Sequence, residues 1–161
     1  MRVVVALSLL VSVAGCSKPP LPVKANPCDL LSVSEAQAID GTITTTTRFP
    51  PKKGETDELC VYQDAKGDAR LMLFVWRDKS ADPMKEVKVG MKDARDKIVE
   101  VGGIGDSAAA GFSASDGTLK LLAARTKLGM VGLRVRDPVK EGDEKYNNVK
   151  LWTAKVLDRL K

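Results

Sequence analysis

The stretch Val101-Gly102-Gly103-Ile104-Gly105-Asp106-Ser107-Ala108 is where residue types and spacing come nearest to a known chemistry. Gly103-x-Gly105-x-x-Ala108 formally matches a dinucleotide fingerprint, whose glycines let backbone approach a pyrophosphate at a helix N-terminus. That fingerprint needs a long helix directly behind it. Here Gly111 and the run Ser113 to Gly117 interrupt any helix within a few residues, and no lysine follows at P-loop spacing. The motif therefore reads as a tight turn that needs positive φ. Asp106-Ser107 offers a hydroxyl, but no G-x-S-x-G elbow surrounds it, and the chain has no histidine to serve as base or metal ligand. Asp137, Glu141, Asp143 and Glu144 crowd one stretch without EF-hand spacing, and read as acids favouring a helix N-terminus. These readings leave no catalytic residue, no metal site and no cofactor.

The cysteines carry the clearer message. Met1-Arg2 is followed by an uncharged apolar run, Val3 to Ala14, far short of the roughly 20 residues that cross a bilayer. It reads as a signal-peptide core. The run ends in Val13-Ala14-Gly15-Cys16, which resembles a bacterial lipobox. The resemblance implies cleavage before Cys16, a thioether-linked diacylglycerol (and a further acyl chain such as palmitate) on that residue, and a membrane anchor. Two or more acyl chains hold stably where one binds only marginally. Ser17, rather than aspartate, follows the cysteine; by analogy with known lipoproteins this favours the periplasmic side of the outer membrane wherever two membranes are present. Residues 1–15 are thus expected to be a lipoprotein signal peptide. Residues 16–27, with four prolines between Pro19 and Pro27, are expected to be the lipidated cysteine and a stiff tether, and residues 28–161 a single domain.

Beyond Cys16, Cys28 and Cys60 remain, an even number in an oxidising compartment, which predicts a disulfide between them. A redox-active pair would need C-x-x-C spacing. The net charge of +5 is mild, and an exported protein meets anionic head groups rather than nucleic acid.

The elements that must position these residues follow from patterning. Ser32-Val-Ser-Glu35 fits a capping box opening a short helix, with Gly41 suited to its C′ position. Thr42 to Phe49 is β-branched and reads equally as an edge strand or a threonine loop. Leu59 to Gln63 and Ala69 to Trp76 form a hairpin. Asp82-Pro83 opens a helix with an apolar stripe of Met84, Val87, Met91 and Ala94. Lys97 to Val101 is a short strand. Thr118 to Arg125 and Met130 to Arg136 make a second hairpin, and a last helix from about Asp143 to Leu160 repeats Val149, Trp152, Val156 and Leu160 at helical spacing. The order α-β-β-α-β-β-β-α predicts an α+β domain, an antiparallel sheet packed by helices, in two similar half-units.

Alternation within Ala69 to Trp76 puts Leu71, Leu73 and Val75 on one sheet face and Met72, Phe74 and Trp76 on the other. Both faces are apolar, so both should be covered. Arg134 and Arg136 share a face of the partner hairpin, beside the apolar Val131, Leu133 and Val135. Met72, Phe74, Trp76, Arg134 and Arg136 are therefore the candidate binding face, framed for an acidic or amphipathic ligand. If a helix covers it, the C-terminal helix with Trp152 is the candidate cover.

Pro27-Cys28-Asp29-Leu30-Leu31, Ser32 to Ile39, Cys60-Val61-Tyr62 and Gly103-Ile104-Gly105-Asp106 together resemble a family of small bacterial lipoproteins, mostly uncharacterised and common in actinobacteria. Its pattern is a lipobox, a Pro-rich tether, a PC-x-LL opening, a second cysteine before an aromatic, a G-x-GD turn and a C-terminal helix. The resemblance covers most of residues 27–160; the threonine segment before Cys60 departs from it. It implies a compact α+β domain with a structural or binding role and no catalytic residues to carry over. The expectation is a membrane-anchored envelope lipoprotein that binds a protein, lipidic or cell-wall partner; the alternative is an envelope hydrolase built from Asp, Glu, Ser and Lys.

Overall fold

A computed structural model describes residues 26–53, 57–91 and 93–160. The predicted signal peptide, Cys16 and most of the tether lie outside them. The described chain is mixed α/β, a seven-stranded, wholly antiparallel sheet with four helices. In chain order these are α1 (Pro27–Leu30), α2 (Val33–Gln37), β1 (Ile43–Phe49), β2 (Asp57–Asp64), β3 (Ala69–Trp76), α3 (Pro83–Gly90), β4 (Lys97–Glu100), β5 (Ser107–Phe112), β6 (Leu119–Thr126), β7 (Gly129–Val135) and α4 (Glu144–Asp158). The sheet order is β1-β2-β3-β7-β6-β5-β4: two meanders joined where β3 pairs with β7.

Both predicted hairpins and the strand at Lys97 form where patterning places them. The threonine segment is an edge strand, paired with β2 alone. Four expectations need correction. The order contains a further helix, α1, and two further strands, β1 and β5; β5 is built from Ser107-Ala-Ala-Ala-Gly-Phe112, whose alanines carry little strand propensity and are placed by pairing on both sides. The capping box at Ser32 and Glu35 is present, but α2 ends at Gln37 with Ala38 as its C-cap, so Gly41 is not its C′ residue. The helix capped by Asp82 stops at Gly90, leaving Ala94 exposed beyond it and Met84 largely exposed within it. The third, already visible in the same residues, is that a stripe drawn through Met91 and Ala94 overran the glycine that ends the helix. The fourth is the cover of the candidate face, where α3 and not the C-terminal helix packs.

Strand alternation sorts the core into two layers. Leu71, Leu73 and Val75 of β3 face Val135, Leu133 and Val131 of β7, and this cluster includes Leu30 and Leu31 beside α2 as well as Val149, Val156 and Leu157 of α4. On the opposite face a smaller cluster joins Val87 of α3 to Ala109, Leu121, Ala123 and Met130.

Candidate functional site

The residues of the PC-x-LL and Cys-x-Tyr motifs converge at one point beneath the first layer. Cys28 and Cys60 are disulfide-bonded, with Cα atoms 5.2 Å apart. Two residues beyond Cys60, the buried Tyr62 hydroxyl donates to the Leu31 carbonyl at 2.6 Å. Burial pushes the Tyr62 phenol well above its ordinary range. The Arg159 guanidinium, from the end of α4, donates to the Leu30 carbonyl at 2.5 Å and to the Glu35 carboxylate. The Tyr62 hydroxyl, the Arg159 guanidinium and the Glu35 carboxylate are thus all partnered inside the fold, and the cluster joins the two ends of the described chain.

The G-x-GD stretch is a turn. Gly103 and Gly105 have φ of +80° and +60°, and Asp106 N–H donates to the Arg125 carbonyl at 2.8 Å. A Cβ at Gly105 would collide with that same carbonyl oxygen and with Leu157. The turn feeds a strand, β5, instead of the helix a dinucleotide site requires. The four crowded carboxylates separate into different roles. Asp137 pairs with Arg70 and Lys145, Glu141 with Lys97, Asp143 stands at the N-cap of α4, and Glu144 lies in its first turn. Among the described residues no cluster of three or more Cys, Asp or Glu could hold a metal ion.

The candidate binding face is assembled as alternation implies. Across the sheet, Phe49, Leu59, Phe74 and Gly132 form one row, and Thr47, Val61, Met72 and Arg134 the next. Phe74 and Trp76 stack with ring centroids 5.6 Å apart, and the Arg134 guanidinium lies 5.8 Å over the Phe74 ring. Arg134 Nε–H donates to the Lys120 carbonyl at 3.2 Å. The Trp76 indole reaches across to Gly132, where a Cβ would stand 2.9 Å from the ring. Gly132 has the same alternation as Arg134 and Arg136, and its role shows only once the Trp76 indole is seen against it. An aromatic two residues along a paired strand, facing a glycine, is the signal that could have supplied it.

The face is not covered as both-sided hydrophobicity suggested. Leu71, Leu73 and Val75 are fully buried, whereas Met72, Phe74 and Trp76 are only half-buried. The C-terminal helix is not the cover: α4 packs on β6 and β7 from the other side, where Trp152 joins the first core layer. Over the candidate face it is α3 that packs, on β4, β5 and β6, leaving the β1-β2-β3 side without a helix of its own among the described residues. The physical reason is length: eight residues make a helix of about 12 Å, which spans two or three strands and not seven.

Two clefts adjoin at the Arg134 end, both lined by Arg134, Val135 and Arg136. One, of about 460 Å³, lies toward Gly90 and Lys120 and includes the carboxylates of Asp93, Asp96, Asp116 and Asp137. The other, of about 340 Å³, is completed by Ala69, Arg70 and Met72 and has no carboxylate in its lining. Arg70 is committed to Asp40 and Asp137. Arg136 has a long, exposed pairing with Asp68 at 3.4 Å.

No protein-family model, curated protein or solved structure matches this chain.

Proposed function

We propose that this protein is a membrane-anchored bacterial lipoprotein whose α+β domain, helices layered on an antiparallel sheet, is a non-catalytic binding module of the cell envelope. The observation that carries the reading is the half-buried row of Met72, Phe74 and Trp76 beside Arg134 and Arg136. A monomeric domain buries its aromatics where it can, and an apolar patch rimmed by cations marks an interaction surface. The lipobox-like end at Cys16 and the proline-rich tether supply the anchor, and where two membranes are present Ser17 favours the periplasmic side of the outer one. The resemblance of its motifs to a family of small bacterial lipoproteins supports the same assignment.

Two measurements test it. Cys16→Ser is expected to yield an unlipidated chain released from membranes; retention of a processed, acyl-free chain would overturn the anchor. A photo-crosslinking residue at position 72 is expected to capture a discrete envelope component in native membranes, and Trp76→Ala to reduce that adduct. Turnover of ester, glycoside or peptide substrates that is abolished by one carboxylate change would replace the binding module by a hydrolase.

A further inference from the structure

The binding reading leaves open what chemistry the face recognises, and its two clefts differ in that respect. The larger sets Lys120, Arg134 and Arg136 against four aspartates, so an anion gains little there. The smaller brings Arg70, Arg134 and Arg136 together with Ala69, Met72 and Val135 and has no carboxylate in its lining; Arg70 is held by Asp40 and Asp137, and Arg136 has only the long, exposed pairing with Asp68, which leaves Arg134 and Arg136 for an anion. Arg134 forms no ion pair with a carboxylate among the described residues: its Nε–H is used by the Lys120 carbonyl, while its guanidinium carbon stands 5.8 Å from the Phe74 ring centroid. A planar guanidinium with N–H groups to spare is suited to phosphate or carboxylate oxygens.

From this cationic end the apolar row continues along β3. Met72, Phe74 and Trp76 lie on one side of the strand, and four residues of strand span about 13 Å. Val61 and Leu59 of β2 lie beside Met72 and Phe74 in register, and α3 stands on the neighbouring strands of the same face. The result is a shelf, with sheet as its floor and helix along one side, cationic at one end and apolar along its length. Resting on the binding reading above, we propose that this shelf holds a single-chain anionic amphiphile. The phosphate or carboxylate head is bound by Arg134 and Arg136, and the acyl chain lies along Met72, Phe74 and Trp76. The cations of the smaller cleft select the head, and the apolar row of Met72, Phe74 and Trp76, with Arg134 over Phe74 and Asp57 in register beside Trp76, selects the tail.

Tryptophan fluorescence tests this directly, because the two tryptophans lie on opposite faces of the sheet. In the full chain carrying Cys16→Ser, so that no acyl anchor contributes, Trp152→Phe leaves Trp76 as the sole emitter. Lauroyl lysophosphatidylglycerol, kept below its micelle concentration, is expected to shift the Trp76 emission to the blue with saturation. Lauroyl lysophosphatidylcholine should bind roughly tenfold more weakly or worse, and glycerol phosphate alone should give no shift. Arg136→Gln, at an exposed position, and Arg134→Gln should each weaken binding of the anionic lipid by about tenfold, with unchanged melting temperature checked for both. Equal response to the anionic and zwitterionic lipids overturns the assigned head-group site. No response to either, while the crosslinker at position 72 still captures an envelope protein, overturns the amphiphile and keeps the binding face. A saturable response to glycerol phosphate without the chain overturns the acyl shelf.

Discussion

The Glu35 carboxylate accepts from the Ser32 backbone N–H at 2.8 Å while also receiving the guanidinium of Arg159, 124 residues away. The Arg159 hydrogen bonds hold it down, at about 2 against an ordinary 4.5, with burial opposing and Ser32 assisting. At Asp40 burial pushes upward, but hydrogen bonds from Thr42 and Arg70 outweigh it and leave the group below its ordinary value. Glu58 behaves alike, with Arg77 and Arg48 outweighing burial. A carboxylate whose pKa is lower in the folded than in the unfolded chain contributes stability above its unfolded value and loses it as pH falls toward the folded one. The domain should therefore lose stability between about pH 4.5 and pH 2. Arg159→Ala is expected to flatten that loss and to cost about 1–2 kcal/mol at pH 7, allowing for solvent around the pair. Urea titrations of both proteins at pH 7 and pH 3 check it; equal losses on acidification would remove Glu35 as a source.

Elements as short as α1 and α2 cannot hold themselves, since helices below about a dozen residues are marginal alone. Their support is the disulfide from Cys28 to Cys60 together with the bonds that Tyr62 and Arg159 make to the Leu31 and Leu30 carbonyls. Closing a loop of 32 residues contributes roughly 3–4 kcal/mol in the chain-entropy model. Reduction, or Cys28→Ser with Cys60→Ser, should lower the unfolding free energy by about that amount, read as a shift in denaturation midpoint. The turn before β5 is similarly exacting. Gly105→Ala should cost about 1–2 kcal/mol for its left-handed backbone, and more because the new Cβ meets the Arg125 carbonyl and Leu157. Its check is a melting curve beside that of Gly102→Ala, where a Cβ meets nothing and the loss should be small.

Among the described residues, one sheet face is closed by α1, α2 and α4 and the other only in part by α3. This asymmetry makes an ordering of mutant stabilities that residue size alone would reverse. Leu73 is completely buried in the first layer, so Leu73→Ala should cost about 2–5 kcal/mol. Trp76 is larger but half-buried, so Trp76→Ala should cost about 1–2 kcal/mol, short of the roughly 3–5 of an enclosed aromatic. Calorimetry on the two variants decides; a Trp76→Ala loss as large as that of Leu73→Ala would mean that the face is closed.

Local chemistry was enough to read much of this protein. The capping box at Ser32, the Asp82-Pro83 start, both hairpins and the turn at Gly103 and Gly105 each depend on neighbours in sequence, and the Cys28–Cys60 bridge was read from the cysteines that remain once Cys16 is set aside as the expected lipid anchor. Alternation likewise placed Met72, Phe74, Trp76 and Arg134 on one face. What sequence could not supply was anything decided between distant segments. The alanines of β5 become a strand because β4 and β6 pair with them, and the Thr44 to Thr47 run is a strand because β2 offers it an edge. Which helix lies on which face is set by the order in which β3 meets β7, and with it whether Trp76 is enclosed or left half open. Periodicity reports that a side chain is apolar and which way it points; only the packing of the complete chain determines what, if anything, lies over it.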